Sequence, residues 1–210
     1  MERTGDEAGL TPGESWRTIQ ATMEDARSSM YVAGTATILL LWGVIASLGY
    51  LAEFALETVA SDVREDSPWV SAPLWAILVI GGMAGSAIIG SRAGKRQASG
   101  DAVRTAGIRV FFFWLAVAVA AFLIPAAAGL WSADADGVDI ARAAIGIVAL
   151  GHVLFGIMSR PLIAAVGVGI GAAFYVPSYL AGDAALAIAA AATLLVVAVA
   201  YASIRKSGVL

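Results

Sequence analysis

Residues 167–172 read GVGIGA and fit G-x-G-x-x-A, the loose fingerprint of a dinucleotide-binding turn. That fingerprint works where a strand runs into the glycines and a helix opens at them, so that backbone amides meet the pyrophosphate. The flanking sequence supplies no strand. The six residues lie inside PLIAAVGVGIGAAFYVPSYL, residues 161–180, an uncharged apolar run. About 20 such residues form a helix that crosses a ~30 Å hydrocarbon core. Within it Gly167 and Gly171 stand four apart, the G-x-x-x-G spacing that lets another helix backbone come close in lipid. The motif therefore reads as a packing face of a transmembrane helix.

Five further stretches qualify as spans or nearly do: 31–52, 73–91, 108–131, 140–158 and 184–204. The composition agrees, with 60% of residues apolar and 14% charged, and a mean hydropathy of +0.83. Soluble domains are roughly 45–50% apolar and about 25% charged, so this chain carries more apolar surface than a water-facing exterior tolerates. The sequence predicts an all-α integral membrane protein. Six transmembrane helices fill residues 30–206, a cytoplasmic tail and amphipathic helix occupy 1–29, and a short tail covers 207–210. The first 29 residues are polar, so the first apolar run is read as a retained span rather than a cleaved signal peptide. The chain has no cysteine, which removes disulfides, thiolate metal sites and cysteine nucleophiles together. A net charge of −3 argues against nucleic acid as a partner.

Punctuation between the runs sets their arrangement. Ser71 and Pro73 read as an N-cap and first-turn pair, while Ser159-Arg160-Pro161 and Gly182-Asp183 read as short reversals. Short reversals make spans four, five and six antiparallel neighbours. Arg3, Arg17, Arg27, Arg92, Lys95, Arg96, Arg104, Arg109, Arg160, Arg205 and Lys206 all fall on one alternating set of loops, and only Arg64 and Arg142 fall on the other. The second set holds Glu53, Glu57, Asp62, Glu65, Asp66, Asp134, Asp136, Asp139 and Asp183. Basic residues are retained on the cytoplasmic side, so both termini are expected there, in a bacterial inner membrane. Trp69, Trp75 and Trp131 then mark the outer head-group level.

In the amino-terminal segment, Thr11-Pro12-Gly13-Glu14 spells a capping box with proline at the first helical position. Trp16, Ile19, Met23, Ala26 and Met30 follow at helical spacing, which predicts an amphipathic helix over 12–28. Its polar face mixes Arg17, Glu24, Asp25 and Arg27 and lacks the basic excess of a helix held on anionic lipid. Trp16, Ile19 and Met23 thus have two readings: burial in the inner interface, or docking of a cytoplasmic protein partner.

Inside the spans few residues carry chemistry. His152 is the one histidine, placed in the inner half of span four, with Ser86, Thr35, Thr37 and the Trp114 indole at comparable depth. An ionisable group in a span is a functional candidate, yet a neutral imidazole satisfied by one polar neighbour is also common between helices. Arg142 near the outer end of the same span is expected to snorkel toward water beside Asp139. Asp134, Asp136 and Asp139 lack the spacing of a calcium loop, and no metal or cofactor is expected. No acid/base pair accompanies His152, and no carboxylate lies in the middle of a span, so neither catalysis nor ion-driven transport finds a relay.

Glycine offers the remaining pattern. Gly81, Gly82, Gly85 and Gly90 lie with Ser86 in span two, and Gly167, Gly169 and Gly171 lie in span five. Each span is the second of a three-helix half, and halves with an odd number of spans have inverted orientation. Glycine-interrupted spans so placed suggest a transporter or channel site for a neutral solute, whereas glycines that only tighten packing suggest none.

LLWG at Leu40 to Gly43, the preceding ESWRTIQATMEDARSSM at 14–30, and SRPLIAAVGVGIG at Ser159 to Gly171 resemble a group of small bacterial multispan membrane proteins of unassigned function. The resemblance implies a multispan helical fold and carries no activity or ligand with it. The function expected is that of a non-enzymatic accessory or regulatory membrane protein, alone or as a homo-oligomer, presenting its cytoplasmic face to a partner. The alternative is a small transporter or channel through the glycine faces of spans two and five.

Overall fold

In hydrocarbon a backbone must satisfy its own N–H and C=O groups, which favours helices for long apolar runs. The computed structural model describes residues 11–19, 34–96, 101–131 and 137–206, and among these it contains helices and turns but no strand. Helix α1 covers 12–19. The long helices are α2 (Thr35–Thr58), α4 (Ser71–Arg96), α5 (Asp101–Ala127), α6 (Gly137–Met158), α7 (Pro161–Leu180) and α8 (Ala185–Lys206), with a six-residue α3 (Ser61–Asp66) after α2. Six of them are long and apolar enough to cross a membrane, and the chain is a helical membrane protein.

Successive spans alternate in direction. One end of the bundle gathers Glu53, Glu57, α3, Asp139 and Asp183, and the other gathers Arg92, Arg109, Arg160 and Arg205; these are called the acidic and basic ends below. The spans form an arc in which α4 packs on α2, α2 on α8, α8 on α7, α7 on α6 and α6 on α5. Residues 159 and 160 alone separate α6 from α7, and a 3-10 turn over Gly182–Ala184 separates α7 from α8, so spans four to six lie side by side. The core runs along the α2, α7 and α8 contact. Leu39, Val166, Ile170, Val197 and Ile204 fill its basic half, and Tyr50, Phe174, Ala189 and Ala190 fill its acidic half.

Several boundaries differ from those read in the sequence, most clearly in three places. Helix α2 continues past Ala52 to Thr58, because Glu53 and Glu57 find partners on α3 and α4 that hold the extra turns. The basic stretch after span two is largely helix, since α4 runs to Arg96 and α5 opens at Asp101. Span three stops at Ala127 instead of Trp131. A turn follows in which Gly129 takes φ +77, a conformation that suits glycine and leaves Trp131 outside the helix. Residues 31–33 of the first expected span and residues 20–28 of the expected amphipathic helix lie outside the described residues.

Candidate functional site

The acidic end carries the densest polar cluster, and it is built around Glu53. Helix α3 returns the chain toward α2, so Arg64 Nη1 donates to Glu53 Oε2 at 3.2 Å and to Glu57 Oε1 at 3.3 Å. Helix α4 opens with Ser71 and Trp75 one turn apart. Ser71 Oγ donates to Glu53 Oε2 at 2.8 Å and Trp75 Nε1 donates to Oε1 at 3.0 Å. Ser71 was expected to cap α4; its hydroxyl instead serves the carboxylate of the neighbouring helix. Gly49, one turn before Glu53, makes room for the indole, since a Cβ there would overlap the Trp75 ring. Glu53 is buried, and charge-assisted bonds from three residues offset the cost of removing its charge from water. Every donor belongs to this chain, so the cluster is a clasp joining α2, α3 and α4.

A second cluster lies inward of it. Tyr175 of α7 donates to the Arg142 carbonyl oxygen of α6 at 2.6 Å, and Gly146 leaves space for that hydroxyl. The Arg142 guanidinium donates to Asp139, the neighbour expected for it, at 2.9 Å and stacks 5.4 Å from the Tyr179 ring centre. Tyr50 of α2 packs against Phe174, Trp75 and Tyr175, and its hydroxyl is fully buried with no partner among the described residues.

His152 sits in the basic half between α5 and α7. Its Nδ1 lies 2.9 Å from the Val148 carbonyl oxygen one turn earlier, which places the proton on Nδ1 as donor. Its ring rests 4.4 Å from the Trp114 ring. Ser86, expected at the same depth, accepts from Trp42 Nε1 at 3.0 Å across the α2 and α4 contact, and Thr37 is exposed. Thr35 opens α2.

The glycines divide among separate contacts. Gly167 meets the backbone of α6: a Cβ there would lie 2.7 Å from the Ala149 oxygen and 2.8 Å from Val153 N. Gly169 faces Val196 of α8, and Gly171 has only an ordinary contact with Ala149. On α4, Gly82 faces Trp42 and Gly85 faces Leu41, both of α2, while Gly81 and Gly90 have open space. Gly85 and Ser86 therefore face α2, His152 lies against Trp114 of α5, and Gly169 faces α8. Spans two and five also differ in position: 39% of the α7 span is buried against 6% of the α4 span.

In the amino-terminal segment, the expected capping box is formed. Glu14 Oε2 accepts from Thr11 N and from Thr11 Oγ1, each at 2.8 Å, and the Glu14 amide donates to Thr11 Oγ1 at 3.3 Å. These bonds hold the Glu14 carboxyl below its ordinary pKa, the backbone bond first. Trp16 and Ile19 are exposed on α1, and Met23 lies outside the described residues, as do Asp134 and Asp136. Among the described residues no three histidine, aspartate or glutamate side chains are grouped to hold a metal ion. Comparison of the chain with family models, with curated proteins and with solved structures finds no match.

Proposed function

We propose that this chain is a non-enzymatic accessory or regulatory membrane protein, set in a bacterial inner membrane with both termini and the basic end in the cytoplasm. It would present α1 and the basic connections to a cytoplasmic protein partner. The observation that carries the reading is α1 itself: a capped helix whose large apolar side chains, Trp16 at 62% and Ile19 at 49%, stay exposed. By contrast several polar groups of the spans bond within the bundle, as in Trp42 with Ser86, Ser47 with the Ala190 carbonyl, and Tyr175 with the Arg142 carbonyl. A solute path would need the glycine faces of α4 and α7 to share one cavity, and they meet different helices.

The test is co-purification from mild detergent of the full chain, of a chain lacking residues 1–29, and of a Trp16→Ala, Ile19→Ala, Met23→Ala triple variant. A partner recovered with the full chain and lost with both variants supports the reading. Equal recovery with all three chains removes α1 as the docking surface.

A further inference from the structure

Helices α4 and α5 are the longest of the bundle, at 26 and 27 residues, and both outrun their apolar parts at the basic end. Those parts are Ser71–Ala93 and Thr105–Ala127, so α4 carries on to Arg96 and α5 opens early, at Asp101. The overhang sets five cations at one level. At about 1.5 Å per residue, Arg92, Lys95, Arg96, Arg104 and Arg109 all stand within roughly 6 Å of the inner ends of the apolar parts. The polar head-group layer of a bilayer is itself roughly 5–7 Å deep on each side.

The two ends of the bundle meet their positive charge differently. At the acidic end Arg64 pairs with Glu53 and Glu57, and Arg142 pairs with Asp139. At the basic end Arg92 and Arg109 are exposed, and among the described residues neither has an ion-pair partner. Asp101 is the one acid between residues 92 and 109, so the segment supplies one carboxylate for five cations. The remaining counter-charge comes from outside it.

Depth decides between a lipid and a protein as its source. A water-soluble partner would have to enter the head-group layer to reach Arg92 and Arg109, whereas lipid phosphates already occupy it. Arginine and lysine lay their stems along hydrocarbon and lift their charge to that level, and a guanidinium matches the geometry of a phosphate. Clusters of about four to eight basic residues beside a span draw anionic lipid in this way. We propose that the connection between α4 and α5, residues 92–109, binds the head groups of anionic phospholipid in the leaflet at the basic end. This requires only that the helices cross the bilayer; it holds whichever end faces the cytoplasm and is independent of the protein partner proposed for α1.

The test extracts the full chain in mild detergent from vesicles of phosphatidylcholine and phosphatidylglycerol with matched tails, and quantifies the lipid that stays bound by mass spectrometry. Phosphatidylglycerol is expected to be retained over phosphatidylcholine by about fivefold or more relative to the bulk mixture, and less so when extraction is done at high salt. Lys95→Gln, Arg96→Gln and Arg104→Gln together should lower that ratio by about fivefold, whereas Arg205→Gln with Lys206→Gln, at the same end of the bundle, should leave most of it. If the triple variant does not fold, Lys95→Gln and Arg104→Gln taken singly should each lower the ratio by about twofold. Equal retention of the two lipids would overturn the proposal, and so would an equal fall in the Arg205 and Lys206 variant, which would reflect the charge of the whole end. Displacement of phosphatidylglycerol by inorganic phosphate at matched ionic strength would assign the site to a free anion and overturn the choice of lipid. An acidic protein recovered with the full chain and lost with the triple variant, while the lipid ratio stays the same, would overturn it in favour of a protein.

Discussion

Three glycines of one six-residue motif should respond differently to alanine, because their surroundings differ. At Gly167 an added Cβ would stand 2.7 Å from the Ala149 oxygen and 2.8 Å from Val153 N, atoms of a helix backbone that no rotamer change can move. Restoring an ordinary separation means shifting α7 from α6 by roughly 0.5–1 Å, a gap that forfeits a quarter to a half of each dispersion contact along the interface. Overpacking of this kind costs about 1–3 kcal/mol, and alanine returns up to about 1 kcal/mol through its helix propensity. Gly167→Ala should therefore be destabilising, by up to about 3 kcal/mol net. At Gly171 the added Cβ would find Ala149 Cβ at 3.6 Å, an ordinary contact, so Gly171→Ala should be neutral or gain up to about 1 kcal/mol. Gly169 falls between them, since its neighbour is the Val196 side chain, which can rotate. Thermal unfolding in detergent, followed by tryptophan fluorescence, should rank the variants Gly171→Ala, Gly169→Ala, Gly167→Ala from most to least stable. A Gly167→Ala protein at least as stable as Gly171→Ala would refute the assignment of Gly167 to the α6 contact.

The Glu53 clasp makes a second forecast: Glu53→Ala orphans three donors and should cost about 2–4 kcal/mol, while Glu53→Gln, which can still accept from Trp75, should cost about 1 kcal/mol. Denaturation in a detergent series measures both, and equal stability of the two variants would contradict it. Tyr50→Phe removes a buried hydroxyl without a partner among the described residues and should be neutral or stabilising by up to about 1–3 kcal/mol, whereas Tyr175→Phe removes a 2.6 Å bond and should cost about 0.5–1.5 kcal/mol. A loss of stability in Tyr175→Phe with none in Tyr50→Phe is the expected pattern, and a loss in both would contradict it. For α1, the Glu14 carboxyl is lowered in the folded helix, so its contribution is full above the unfolded value near 4.5 and is lost as pH falls through the lowered one. Protection of the Ser15 amide, taken relative to its intrinsic exchange rate at each pH, should fall over that acidic window, and Glu14→Gln should flatten the response.

Much of this architecture was legible because lipid imposes strong rules on sequence. Span five matches the helix Pro161–Leu180 at both ends, since Pro161 fixes the start and Gly182 the reversal after it. The Thr11 to Glu14 box and the Arg142 pair with Asp139 were equally readable, as both are formed by residues three apart on one helix. The Glu53 clasp was not. Its three donors come from two other elements, α3 and α4, and Glu53 in isolation looks like one more acid in an acidic loop. The usable signal was Ser71 and Trp75, one turn apart at the level of Glu53 on the next helix. The rotation of each helix about its axis was likewise hidden, which is why Ser86 could be grouped with His152 although it faces Trp42. Gly167 and Gly85 look alike in sequence; only the neighbouring helix distinguishes a backbone contact from a leucine side chain.

Six membrane-crossing helices with the basic end inside the cell are the claim on which the rest stands. Single cysteines at Asp183, Leu195 and Ser207, introduced into a chain that has none, test it by reaction with a membrane-impermeant maleimide on intact cells and on inverted vesicles. Position 183 should react on cells, 207 only on inverted vesicles, and 195 on neither. Reaction of 207 on intact cells would reverse the orientation, and ready labelling of 195 from water would contradict a bilayer around these helices.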